Sequence, residues 1–209
     1  MQKEKYLGIY KIGSNRLAGW DYSKNGKYFI TIKTQNKINY FGHIKNNKMI
    51  LNDFGKIAYN EWKISGQIRN EIEIETFIVM PNHLHGIVVL SNLENQMDPV
   101  LDPAEMHGRA SQPGYQSLLL NHPKFYRKPK SISSFIAGYK SSVTTKINNF
   151  IDENPLILPQ FDFNQKFNRK NRLWQTNYYD HIIRNEEGYK RIKYYIINNP
   201  IKHSKSIIE

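Results

Sequence analysis

A chain of 209 residues without cysteine and with a formal net charge of +12 has room for one sizeable domain, and it excludes a disulfide framework, a thiolate zinc site and a cysteine nucleophile. No stretch approaches ~18 uninterrupted apolar residues, so a soluble, intracellular protein is expected. The charge is uneven: residues 1–120 carry 14 basic and 11 acidic side chains (net +3), and residues 121–209 carry 16 and 7 (net +9). In the second part it is interleaved with Phe125, Tyr126, Phe161, Phe163, Phe167, Trp174, Tyr178 and Tyr179. That mixture suits a nucleic acid, with ion pairs to phosphates and platforms for bases. A lysine-rich solvated surface explains the charge alone equally well.

In chain order, Lys27–Thr34 is rich in β-branched and aromatic residues and reads as a strand. A short strand near Tyr40–Ile44 and a turn at Asn46-Asn47 follow. Asn52 or Asp53 is placed to cap a helix over roughly Phe54–Ile68. Glu71–Glu75 alternates and leads into a long strand over Thr76–Met80. Pro81-Asn82 should turn the chain before another strand, His83–Leu90. Residues 91–130 change character, with Pro99, Pro103, Pro113 and Pro123 among polar residues. They read as an insertion in a single domain spanning 1–209, with a short helix near Ser117–Asn121. Ile132, Phe135, Ile136, Tyr139, Val143 and Ile147 recur at spacings of three and four, the stripe of an amphipathic helix. Residues 151–172 read as irregular and basic, and Trp174–Ile183 as partly extended. Glu186-Glu187 opens a last helix that should stop before Pro200. Strands and helices in this order suggest an α+β fold, an antiparallel sheet with helices packed on one face.

Within the His83–Leu90 strand, His83 and His85 lie two residues apart. Side chains two apart on a strand share a face, so both imidazoles can approach one divalent ion while Leu84 packs behind them. The pair is weak evidence without a second element. The last helix offers one, because Tyr195/Asn199 and Tyr194/Asn198 both have the i, i+4 spacing of one helix face. Ile192, Tyr195, Ile196 and Asn199 form the inward stripe, which favours Tyr195/Asn199. A phenol beside a divalent ion points to covalent catalysis on phosphate. Two imidazoles and an amide oxygen suit Mg²⁺ or Mn²⁺, with water and phosphate oxygens completing the shell. Taken by itself, Tyr195 is better explained as a half-buried aromatic that packs the helix on the sheet.

His83-Leu84-His85, preceded by Met80-Pro81-Asn82, resembles the His-hydrophobic-His motif of HUH single-strand DNA endonucleases. Leu173–Asn185 followed by Tyr195-Ile-Ile-Asn-Asn-Pro200 resembles REP-associated tyrosine transposases, relatives of the IS200-like one-tyrosine transposases. The resemblance covers roughly residues 27–90 and 131–203. It implies a ferredoxin-like sandwich, with the histidines on a central strand and a tyrosine-bearing helix over that face. It also implies a transposase that cleaves and rejoins single-stranded, hairpin-containing DNA through a 5′-phosphotyrosine intermediate. His83, His85 and Asn199 would be metal ligands and Tyr195 the nucleophile. No nucleotide cofactor is implied, in line with the lack of a G-x-x-x-x-G-K-[ST] loop. The setting would be a prokaryotic cytoplasm, at the nucleoid. A homodimer with shared sites and a single chain completing its own site are both compatible with the sequence.

Tyr139 is the alternative nucleophile, although Val143 four residues on cannot be a ligand and Tyr139 shares its face with apolar residues. Tyr178 and Tyr179 stand behind it. Trp174, Gln175, Arg184, Lys140 and Arg191 are candidate nucleic-acid contacts. A structural role for Trp174 and plain solvation of the charges are the competing explanations. His203 has no partner at an informative spacing. Two other functions remain open: a non-catalytic DNA-binding protein on the same fold, and a metal-dependent phosphoesterase.

Overall fold

The computed structural model describes residues 19–92, 128–154 and 166–205, with side chains as far as His203. The expected insertion, including the helix near Ser117–Asn121, falls almost entirely outside these residues, as do Phe125, Tyr126, Phe161 and Phe163.

Strand β1 (Gly26–Lys33) is followed by a hairpin of β2 (Gly42–Lys45) and β3 (Lys48–Leu51). Asn46 and Asn47 turn that hairpin with φ of 50° and 60°, the left-handed pair that asparagine tolerates and that matches strand twist. Gly42, with φ +131°, is required where it stands, since a Cβ there would meet the Ile50 carbonyl oxygen at 2.0 Å. Helix α1 (Asp53–Ile68) is capped by Asn52, whose side chain accepts from the Gly55 N–H at 2.9 Å. Strands β4 (Ile72–Met80) and β5 (His83–Leu90) are joined by the two-residue turn Pro81-Asn82.

Helix α2 (Ile132–Glu153) begins with a capping box between Ser131 and Ser134. Strand β6 (Tyr179–Ile183) leads into α3 (Glu186–Ile197), capped by Asn185. The last helix stops before Pro200, as expected, at Ile197. Past Asn198 the chain becomes helical again as α4 (Asn199–Lys205). Pro200 falls in the first turn of α4, where its missing N–H leaves no internal bond unmade. Asn199 therefore stands on a second, short helix and not on the one that carries Tyr195.

The main sheet has the order β4-β5-β1-β6, antiparallel throughout. This is the expected α+β sandwich, with α1 and α2 packed together on one face. Alternation along the strands sends Tyr28, Ile30, Ile32, Leu84 and Val88 into a large core with Trp62, Phe135, Tyr139 and Val143. Trp62 is fully buried there, and truncating it to Ala would cost about 3–5 kcal/mol. The opposite side chains, Phe29, Ile87 and Ile183, meet Ile196 of α3 in a smaller cluster. No described helix is long and apolar enough to cross a membrane.

Candidate active site on the histidine face

The second face of β5 carries the histidines. Leu84, Gly86 and Val88 turn toward α1 and α2, while His83, His85 and Ile87 turn toward α3. The two imidazole rings lie with centroids 4.5 Å apart. Antiparallel register places Thr31 opposite His85 and Lys33 opposite His83. Thr31 Oγ1 is 2.8 Å from His85 Nδ1, and Phe29 stacks on the His85 ring at 5.3 Å with a 25° tilt. The Asn82 side-chain oxygen is 2.7 Å from His83 Nδ1. An amide oxygen can only accept, so that contact puts the proton on Nδ1 and leaves Nε2 with its lone pair.

Burial pushes His83 down to about 4, helped by the positive fields of Lys33 and His203. His85 falls to about 3, again mainly through burial, then through His83 and Lys33. Both rings are neutral at pH 7, the form that binds a metal.

Two helices close the site. Tyr195 of α3 is half-buried, and its hydroxyl lies 3.4 Å from His85 Nε2. Its ring meets His85 at 5.2 Å and Phe29 edge-on at 6.1 Å. Asn199 is buried, and its side chain lies close enough to His83 to act on its titration. The other i, i+4 pair faces elsewhere: Tyr194 is 65% exposed, and the Asn198 amide donates to the Tyr194 carbonyl at 2.9 Å. Among the described residues no group of three or more His, Cys, Asp or Glu side chains is arranged to hold a metal. The side chains here with donor atoms for one include His83, His85 and Asn199. Two neutral imidazoles and an amide oxygen are donors that a divalent ion accepts.

The other candidates lie apart. Tyr139, the alternative nucleophile, is on the far side of the sheet, 1% exposed, packed edge-on to Trp62 at 4.9 Å. Its hydroxyl donates to the Ala58 carbonyl at 3.1 Å, and burial pushes the phenol far above its ordinary value. It is a core residue and cannot meet the histidines. Tyr178 is buried against Ser133, while Tyr179 is 47% exposed and edge-on to Phe29.

Trp174 is buried against Phe41 and Tyr139, and its indole N–H donates to the Lys140 carbonyl at 3.2 Å. The Lys140 ammonium in turn donates to the carbonyls of Gln175, Thr176 and Asn177. These residues fasten the 174–177 segment to α2, with the Trp174 ring mostly buried against it. A cavity of about 350 Å³ beside them, lined by Lys140, Thr144, Asn168, Arg172 and Gln175, contains none of the histidine-face residues. Arg184 and Arg191 are exposed, Arg191 lying 4.0 Å from Glu187.

Several residues at the site had no signal in the sequence. Thr31, Phe29 and Lys33 arrive through strand register. Lys202 and His203 arrive on α4, with the Lys202 ammonium 5.1 Å from the centre of the Tyr195 ring. Their spacing from Tyr195 of seven and eight residues is the one hint available beforehand.

No protein-family model matches the sequence. A Haemophilus influenzae (strain KW20 / Rd) protein described only as uncharacterized is 35% identical over 196 residues, covering 93% of this chain and 91% of that one. Among solved structures, a REP-associated tyrosine transposase bound to a REP hairpin aligns with a TM-score of 0.49 and 18% identity, over 90% of this chain and 74% of the other. A putative transposase from Deinococcus radiodurans R1 aligns with a TM-score of 0.35 and 14% identity, over 88% of this chain and 95% of the other.

Proposed function

We propose that this chain, which belongs to one family with the Haemophilus influenzae protein, is a metal-dependent tyrosine transposase that cleaves and rejoins single-stranded, hairpin-containing DNA. The observation that carries the reading is the Tyr195 hydroxyl 3.4 Å from the buried His85, itself paired with a partly buried His83, both imidazoles neutral. A phenol, two unprotonated histidines and an amide on one face, with no carboxylate among them, suit phosphoryl transfer to tyrosine better than hydrolysis by an acid/base pair.

In the proposed reaction, Tyr195 Oη attacks the scissile phosphorus. The Oη–P bond forms as the P–O3′ bond breaks. The phenol loses its proton to solvent, and the departing 3′ oxygen takes one up. The products are a 5′-phosphotyrosine link and a free 3′-OH, and attack by a 3′-OH on that link reverses the exchange and joins strands. A Mg²⁺ or Mn²⁺ ion held by His83, His85 and Asn199 would polarise the phosphate and stabilise the leaving oxygen.

The chain's own residues supply orientation. Asn82 holds His83 Nδ1 and so aims its Nε2 lone pair, and Thr31 fixes the His85 ring through Nδ1. Phe29 fixes the plane of His85, and Ile196 anchors α3 on the sheet so that Tyr195 reaches the site.

The test incubates the protein with labelled hairpin-bearing single-stranded DNA and Mn²⁺, then separates the products by denaturing electrophoresis. A covalent DNA–protein adduct that disappears in Tyr195→Phe and persists in Tyr139→Phe is the expected result. DNA binding without an adduct on any hairpin substrate refutes the catalytic reading in favour of a binding protein. Turnover of small phosphate esters that survives Tyr195→Phe but not His83→Ala assigns a phosphoesterase.

A further inference from the structure

The histidine face is unbalanced in charge. Around the imidazoles the side chains arriving from β1, β5, α3 and α4 are Phe29, Thr31, Lys33, His83, His85, Tyr195, Asn199, Lys202 and His203, none of them acidic, while Glu75 of β4, on the same face, is paired with Lys27. Lys33 follows Phe29 and Thr31 on the alternating face of β1 and sits directly opposite His83 in register. Cross-strand neighbours of this kind have Cβ atoms about 5 Å apart. Its charge reaches both imidazoles, contributing to the lowering of each. Lys202 comes from the other side of the nucleophile, its ammonium over the Tyr195 ring at 5.1 Å.

Both lysines are exposed. Elsewhere in the protein Lys27, Lys56, Lys128, Lys146 and Lys166 each meet a carboxylate. Among the described residues, Lys33 and Lys202 have no such partner, which is also true of Lys45, Lys48 and Lys63, and what sets the two apart is their place beside His83 and Tyr195. One cation over the Tyr195 ring and another opposite His83 in register, neither paired with a carboxylate, favour an anion at this place on the sheet.

The geometry points to Lys33 and Lys202 as a two-lysine clamp on the scissile phosphate, gripping its non-bridging oxygens while Tyr195 attacks. This rests on the proposed transposase reading and extends it to two residues outside the His, Tyr and Asn set. The phosphodiester gains negative charge on those oxygens during in-line displacement, so preorganised ammonium groups stabilise the transition state more than the ground state. Lys202 adds a second effect. A cation over the ring interacts still more favourably once the phenol becomes a phenolate.

The experiment uses Lys33→Gln, Lys202→Gln and the corresponding Arg variants of the full chain, with folding checked by thermal melting. Two quantities are read on the same hairpin DNA. The first is the single-turnover rate of adduct formation with a native or a methylphosphonate scissile linkage. The second is the salt dependence of DNA binding in a Tyr195→Phe background. The clamp predicts a loss of about 10²-fold in rate for each Gln variant, with partial recovery by Arg. It predicts that this ratio collapses on the uncharged methylphosphonate. It also predicts a fall of about 0.7 in the logarithmic salt slope for each lysine removed.

Wild-type rates in both Gln variants overturn the clamp while leaving the transposase reading intact. A reduced slope with an unchanged rate also overturns it, because the lysines would then touch flanking phosphates only. If the wild-type protein forms no adduct, the transposase reading fails. The clamp as an anion seat is then decided by the salt slope alone, and an unchanged slope rejects it.

Discussion

The two tyrosines that compete for the role of nucleophile should separate when stability and chemistry are measured side by side. Tyr139→Phe removes one fully buried hydroxyl, which donates to the Ala58 carbonyl at 3.1 Å. That carbonyl lies inside α1 and keeps its helical partner, the Trp62 N–H, so no acceptor is orphaned. The loss is therefore close to the ordinary net value of a neutral hydrogen bond, about 1 kcal/mol. For a chain of this size that lowers Tm by about 2–4 °C. Tyr195→Phe removes a half-exposed hydroxyl whose contact with His85, at 3.4 Å, is at the outer limit of hydrogen bonding. Its effect on stability should stay within about 0.5 kcal/mol. Adduct formation should show the opposite order, with Tyr139→Phe near wild type and Tyr195→Phe inactive. Urea denaturation and denaturing electrophoresis on the same preparations measure both. An adduct lost in Tyr139→Phe and retained in Tyr195→Phe would refute the assignment of the sheet faces.

Gly86→Ala puts a Cβ 2.9 Å from Trp62 Cζ2 and 3.3 Å from Phe77 Cβ. Overpacking of about 1–3 kcal/mol is expected, read as a lower urea midpoint, and a midpoint equal to wild type would show that Trp62 can yield. The metal-free protein should weaken on mild acidification. The folded state holds His83 at about 4 and His85 at about 3, while the unfolded chain protonates near 6.5. The unfolded state thus binds more protons, and stability present above pH 6.5 is lost as pH falls toward the folded values. Between pH 6.5 and 4.5 this amounts to roughly 2 kcal/mol per histidine. Asp21, lowered to about 2, adds to the loss only as pH falls below its ordinary value of 3.8. His83→Asn should flatten this acid limb in urea titrations, and an unchanged limb would contradict the burial account. Mn²⁺ at a hundred times its Kd should stabilise the wild type by about 2.7 kcal/mol in thermal melts. His83→Ala should lose that gain, and Asn199→Asp should bind the ion more tightly; equal stabilisation of all three would move the ion elsewhere.

Elements whose signal is local were legible in the sequence. The α2 stripe from Ile132 to Ile147 is buried as read, Asn52 caps α1, and β1 and β5 fall within one residue of expectation. What escaped depends on distant parts of the chain or on a rule with two outcomes. Strand β3 is four residues long and is defined only by its pairing with β2. Pro200 stops one helix but equally suits the first turn of the next, so α4 was invisible. The i, i+4 argument for Tyr195 and Asn199 assumed one helix, whereas a break at Asn198 separates them and both still reach the histidines. The stripe containing Tyr139 was plain, but which side of the sheet it covers is a tertiary fact. Lys140 and Trp174 look like surface and stacking residues until the 174–177 segment folds back on α2. Thr31 and Lys33 become neighbours of the histidines only once β1 and β5 pair.

That pairing has a consequence for how faithfully the site is built. Along β5 the residues serve two masters in strict alternation, Leu84 and Val88 the core beneath and His83 and His85 the chemistry above. A slip by one residue would send both imidazoles under Trp62 and expose the leucines, forfeiting the hydrophobic energy that drives folding. No conformer of that strand can therefore keep its interior and misalign its histidines. Assembly of the site is proofread by the same register that closes the core, and a cell's ordinary triage of misfolded chains also removes those that would carry a scrambled one.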